Sequence, residues 1–190
     1  VIARLTKPNA GRIFVRGIDI HHHDGQVRKE LGFVAHSSYL YRNLTARENL
    51  RFFARMYRLP DVERKIEEAL RWVGLLDSAD RRVVGFSRGM QQRLTIARAT
   101  LHDPEILLMD EPFSGLDLEA SELLSSWMDD FIKRGKTILM ATHDLEQGLA
   151  LVNRWAFVEK GRIAEELSGD PAIVRERYRQ FLRERRSALS

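Results

Sequence analysis

Cysteine is absent from these 190 residues. That excludes a disulfide scaffold, a thiolate-held zinc and a cysteine nucleophile. Long apolar runs are absent too. They reach four residues, as at Ile106–Met109, where a membrane-spanning helix needs roughly 18. The opening VIARLTKPNAG lacks both an initiator Met and the basic start and apolar core of a secretory leader. It reads as the middle of a protein. No internal repeat or low-complexity segment is present. What remains is ordinary for a packed domain. Hydrophobic residues make up 44% and charged residues 31%, too apolar for a disordered chain. The length suits one domain.

The net charge of +4 is concentrated. RERYRQFLRERR, residues 175–186, holds six Arg and two Glu, and the remaining chain carries 25 charges of each sign. A solvated helix end is the plain reading of that run. A surface for anionic lipid or nucleic acid is the other. With a neutral body, no nucleic-acid partner is expected.

Elements alternate. Arg12–Val15 and Leu31–Ala35 read as strands, with a polar, turn-rich stretch from Ile18 to Gly25. Thr45 and Glu48 form a capping box before a helix whose face is Leu50, Phe53, Ala54 and Tyr57. Further helices are expected at 62–73, 87–101 and 118–133. Glu105–Met109 and Thr137–Ala141 read as strands, 154–158 and 162–166 as a hairpin. Asp170-Pro171 opens a last helix. Strands alternating with helices predict an α/β fold with a parallel sheet. The all-helical stretch at about 45–100 predicts an inserted helical subdomain.

Three segments carry chemistry. ILLMDEP puts Asp110 and Glu111 past the end of an apolar strand, where open α/β sheets bind ligands. Asp110 is placed to hold magnesium through water, and Glu111 to polarise an attacking water. In FSRGMQQR, Ser87 opens a helix whose free N–H groups suit an anion, and Gly89 leaves room for a phosphate oxygen. A serine cap beside a glycine is the plainer reading. ILMATHD ends a strand near His143, whose imidazole could touch a terminal phosphate. A lone histidine there is more often structural.

Order and spacing join these signals. FSRGMQQR, ILLMDEP, SGLD (Ser114–Asp117) and His143 follow one another as in the ATP-binding domain of ABC transporters, and the resemblance covers essentially the whole chain. FSRGMQQR resembles the family signature, ILLMDEP the Walker B strand with its catalytic glutamate, SGLD the D-loop and THD the switch histidine. His36, in LGFVAH, sits at the Q-loop position. The resemblance implies a P-loop NTPase-like parallel sheet over residues 1–190 as one domain, with ATP and Mg²⁺ as cofactors. It also implies a second such subunit as partner, most simply a homodimer, and transmembrane permease subunits. The place of work would be the cytoplasmic face of the membrane, as a peripheral subunit. Ser87, Arg88, Gly89 and Gln91 would contact the partner's ATP. Asp110 would hold Mg²⁺, Glu111, His143 and His36 would serve catalysis, and Asp117 would couple the two sites.

Three departures qualify this. Arg88 stands where the signature usually has Gly, as in exporter-like members. His36 replaces the usual Gln, which would make its contact pH-dependent. The phosphate-binding loop G-x-x-x-x-G-K-[ST] is absent. Gly135-Lys136-Thr137 is a decoy, since Asp130 occupies the first glycine position. The domain is therefore expected to be N-terminally truncated, and this piece inactive alone.

Tyr39, Leu40, Tyr41, Phe52 and Phe53 suggest a docking groove for a membrane subunit. LGFVAHSSYLYRNLTARENL resembles exporters of the haem-exporter and ABC-2 types, and His36 points to the haem exporter of cytochrome c maturation. An ABC-2 exporter of drugs, lipids or polysaccharide, or a non-transport ABC ATPase, is the alternative. The 50 residues between His36 and Ser87 leave no room for the coiled coils of DNA-repair relatives. Three adjacent histidines at 21–23 read as a solvated loop rather than a metal site.

Overall fold

The computed structural model describes residues 2, 3, 6–20, 24–35 and 37–187. His36 and the histidines at 21–23 lie outside the described residues, as do residues 1, 4 and 5 of the opening hexapeptide expected to end a helix. The chain divides into two compact units, one ending at Ala141 and one beginning at Thr142.

The first unit opens with a small antiparallel pair, β1 (Phe14–Val15) and β2 (Ile18–Asp19). Helix α1 (Asp24–Glu30) follows, where the sequence reading had turn as far as Gly25 and no element at 26–30. Its seven residues bury Val27 against Val15, Ile20 and Leu31. One buried position gives no periodicity to detect.

Strands β3 (Leu31–Val34), β4 (Ile106–Asp110) and β5 (Thr137–Ala141) form a parallel sheet in the order β3-β4-β5. Leu31 faces Ile106, and Ile106 faces Thr137. Central β4 buries Leu107, Leu108 and Met109, as an apolar run in a parallel sheet should.

Between β3 and β4 come α2 (Ala46–Met56), α3 (Val62–Trp72), two short 3₁₀ turns and α4 (Arg88–Thr100). The capping box of α2 is present. Thr45 Oγ1 accepts from the Glu48 N–H at 3.1 Å, and Glu48 accepts from the Thr45 N–H at 2.8 Å. Helix α4 is buried continuously from Leu94 to Ala99. Its close approach to β3 requires Gly32, where a Cβ would fall 2.5 Å from the Ala99 carbonyl oxygen.

Arg98 on α4 is only 9% exposed and has no carboxylate partner among the described residues. It donates to the Phe33 carbonyl at 2.6 Å and lies over the rings of Tyr39 and Phe53. Helix α5 (Leu118–Lys133) buries Leu124, Trp127, Met128 and Phe131. Each such side chain contributes about 1.5–3 kcal/mol by leaving water.

The second unit holds α6 (Leu145–Leu151), the hairpin of β6 (Arg154–Glu159) and β7 (Arg162–Ser168), and α7 (Pro171–Ser187). Its core is Leu149, Trp155, Phe157, Val174 and Phe181. Five arginines of α7 are paired within the unit: Arg175 with Glu146, Arg177 with Glu165 and Glu184, Arg185 with Glu159, and Arg179 and Arg183 with Glu176. These five form a helix face on which each cation meets a carboxylate. No helix among the described residues is long and apolar enough to cross a membrane.

Candidate functional site

The carboxyl ends of three parallel strands define the place to look. Asp110 closes β4 there, exposed, opposite Ala141 in register. Glu111 extends the ladder by one bond, its N–H donating to the Ala141 carbonyl at 2.9 Å. The chain then turns sharply. Glu111 has φ +48°, in the left-handed region, a conformation that costs a non-glycine residue about 1–3 kcal/mol. Buried Phe113 anchors the turn, and Gln92 of α4 donates to the Pro112 carbonyl at 2.9 Å. Glu111 is thus held by the sheet on one side and by α4 on the other.

The first turn of α4 lies at the same cavity. Ser87 caps the helix, its Oγ accepting from the Met90 N–H at 3.2 Å. Gly89 faces α5, and a Cβ there would sit 3.4 Å from the Ala120 Cβ. Gln91 donates to its own chain's Phe86 carbonyl at 3.1 Å. Asp117 caps α5, accepting from the Ala120 N–H at 2.9 Å. These residues therefore have structural work besides any ligand.

A cavity of about 460 Å³ joins several of these residues. Ala35, Ser38, Arg42, Arg88, Gln91, Gln92, Glu111, Ser114 and Leu116 line it. Of the residues singled out in the sequence, Arg88, Gln91 and Glu111 meet here. Ser87, Gly89, Asp110 and Asp117 flank it in the chain without lining it. His143 belongs to the second unit, exposed, beside Asp144, which caps α6. His36 is outside the described residues, although its neighbours Ala35 and Ser38 reach the cavity.

Sequence reasoning did not single out Arg42 or Gln92, although Gln92 lies within FSRGMQQR and Arg42 within LGFVAHSSYLYRNLTARENL. Only the fold brings them to the cavity beside Glu111. No cluster of three or more His, Cys, Asp or Glu able to cage a metal occurs among the described residues. A lone strand-end carboxylate suits magnesium, which commonly keeps waters and takes one or two carboxylates plus substrate phosphates.

A second polar centre lies under α4. His102 Nε2 sits 3.0 Å from the Leu31 carbonyl oxygen, and its ring stacks on Tyr57 at 4.0 Å. Nδ1 is buried without a partner. Burial pulls this imidazole down from 6.5 to about 4. It has a packing role.

Strand-end carboxylates beside a capped helix N-terminus, in a parallel sheet, are features of nucleotide-binding α/β domains. A family profile described as ABC transporter matches residues 1–114. The chain is 36% identical over 166 residues to the ABC transporter ATP-binding protein NatA of Bacillus subtilis, covering 86% of this chain and 68% of that protein. It is 38% identical over 168 residues to the Nod factor export ATP-binding protein I of Rhizobium meliloti (strain 1021), covering 87% of this chain and 50% of that one. A solved structure titled as the ATP binding subunit of an ABC transporter superposes with a TM-score of 0.79 at 29% identity, over 88% of this chain and 70% of that one. The chain belongs to the ABC transporter family of ATP-hydrolysing enzymes, as an ATP-binding domain. It spans from half to about two thirds of the length of these curated relatives.

Proposed function

We propose that this chain is the ATP-binding domain, over residues 1–190, of an exporter that couples ATP hydrolysis to transport through separate membrane subunits. The observation that carries this reading is Glu111. It stands just past the buried central strand, on a turn held by α4, in the cavity that the start of α4 also lines.

Glu111 orients or deprotonates the attacking water. Asp110 would hold magnesium, which supplies charge neutralisation at the phosphates. Ser87 accepts from Met90 yet keeps its own hydroxyl hydrogen to donate to a phosphate oxygen. Gln91 gives one amide N–H to the Phe86 carbonyl, which leaves its second N–H to donate to a phosphate oxygen. With Arg88 and Gly89 these groups serve the nucleotide of a second copy, giving a homodimer with paired sites. Asp117 offers its second carboxylate oxygen for coupling across that dimer, and His143 bonds the terminal phosphate. The chemistry is positioning and charge stabilisation around a loose phosphoryl transition state.

An exposed aromatic patch supports docking to membrane permease subunits, and so a peripheral place at the cytoplasmic face. Tyr39 and Tyr41 are about half exposed, and Phe52 meets Tyr41 edge-on at 5.0 Å. Export is the direction that the relative named for Nod factor export favours. Haem export rests on His36 alone, and the cargo is set by the membrane subunits.

The test is Mg-ATP hydrolysis by the whole protein. Glu111→Gln lowers turnover by roughly 10²-fold or more, as loss of a general base does, while nucleotide binding persists. Undiminished turnover in that variant overturns the reading.

A further inference from the structure

Arg98 is a buried cation on α4 with no carboxylate partner among the described residues. Such a charge is costly to hold, and apolar residues of similar volume often replace buried ionic groups at no loss. Filling space therefore does not account for a guanidinium here.

Its contacts do. Nη2 donates to the Phe33 carbonyl at 2.6 Å, while Cζ lies 5.8 Å from the centre of the Tyr39 ring and 5.2 Å from that of Phe53. A planar guanidinium donates in its plane while its faces meet aromatic rings. The compact ammonium of a lysine does not offer that combination.

Phe33 and Tyr39 bound a short segment, residues 34–38, and their own rings approach to 6.3 Å. Within that segment, Ala35 and Ser38 line the cavity that Glu111 also lines. Tyr39 has φ +54°, in the left-handed region, which a bulky residue keeps only where its surroundings hold it. Beyond it the chain is fixed by fully buried Asn49, which accepts from the Tyr41 N–H at 2.8 Å and donates to the Tyr41 carbonyl at 3.0 Å.

We propose that Arg98 is a positioning residue for hydrolysis: it clamps both ends of the 34–38 segment and so holds Ala35 and Ser38, one wall of the cavity, in place beside Glu111. The inference rests on the reading of Glu111 as the hydrolytic base. Arg98 does not line the cavity and acts through the wall it holds. That wall matters to the chemical step, because a misplacement of about 1 Å can cost about 10²-fold in rate. The expected signature is a loss in kcat with KM for ATP kept.

The test is a double-mutant cycle on kcat in the whole protein, with turnover divided by the concentration of nucleotide-binding sites found by titration. Arg98→Met keeps the volume of the buried stem and removes the clamp. It lowers kcat per site about tenfold or more and leaves KM for ATP within about twofold. Tyr39 is about half exposed, so Tyr39→Leu breaks the same contact while sparing the core. It lowers kcat per site about threefold or more, whereas Tyr39→Phe keeps the ring and the rate. In the Arg98→Met background Tyr39→Leu adds nothing, because both act through one contact. Hydrogen exchange reads the clamp without turnover: amides 37–40 exchange about tenfold faster in Arg98→Met, and those of α5 do not.

Fewer binding sites at unchanged kcat per site means that Arg98 holds only the fold, and overturns the proposal. Additive losses in the double variant, or unchanged exchange at 37–40, overturn it as well. Failure of the Glu111 reading shows separately, as turnover surviving Glu111→Gln, and the exchange measurement still decides the clamp.

Discussion

Arginine does opposite work in two places in this molecule. On α7, Arg175, Arg177, Arg179, Arg183 and Arg185 each meet a glutamate. Around the cavity, Arg42 and Arg88 meet no carboxylate among the described residues. Counting charges along the chain finds the first group, because it is dense, and misses Arg42, because it stands alone. Density along the sequence and unpaired charge in space are different quantities. Only the second leaves a cation available to an anion. Arg98 is a third case: buried, with no carboxylate partner among the described residues, held by one carbonyl and two aromatic faces while its Nε has no hydrogen-bond partner among those residues.

The comparison sharpens most at Arg98. Desolvation lowers its pKa from the usual value, yet it holds β3 and the Tyr39–Phe53 surface against α4. Arg98→Ala leaves a cavity, an unpaired Phe33 carbonyl and two lost ring contacts. We expect a destabilisation of about 3–4 kcal/mol, read from denaturant unfolding. A loss below about 1 kcal/mol, the level of an exposed arginine pair, would place Arg98 with the α7 group.

His102 gives the next effect, and it is pH-dependent. Its folded-state value of about 4 lies below the ordinary 6.5, so the folded state prefers the neutral ring. This contribution is complete above about pH 6.5. It is lost as pH falls toward about 4, by roughly 3 kcal/mol in all. His102→Gln should flatten the unfolding free energy across that window, and a stability profile identical to wild type would contradict the assignment.

The smallest effect is expected on α7. Arg175 pairs with Glu146 at the surface, and such a pair contributes about 0–1 kcal/mol. Arg175→Ala should shift the melting temperature by at most a few degrees, fading further in salt. A large shift would show that this face is more than charge balance.

Much of the first unit was legible in the sequence. The capping box at Thr45 and Glu48, the apolar run of β4 and the inner face of α5 carry period or chemistry in themselves. So does the hairpin around Lys160-Gly161. Helix α1 was not legible, since Val27 is the only buried side chain among its described residues. At the site, Glu111, Asp110 and Ser87 stood out because strand ends and helix caps leave local signatures. Arg98 reaching Phe33 across 65 positions, His102 reaching Leu31 across 71, and Arg42 joining Glu111 in one cavity have no local signature. They are products of the sheet order and of the α4 packing that Gly32 permits.

One measurement tests the central claim that partners, and not numbers, decide what an arginine does here. It is the unfolding free energy in denaturant, compared among the wild-type protein, Arg98→Ala and Arg175→Ala. The account predicts a loss of about 3–4 kcal/mol for Arg98→Ala, which packs on Phe33, Tyr39 and Phe53, and about 0–1 kcal/mol for Arg175→Ala, a surface ion pair. Equal losses in the two variants would contradict it.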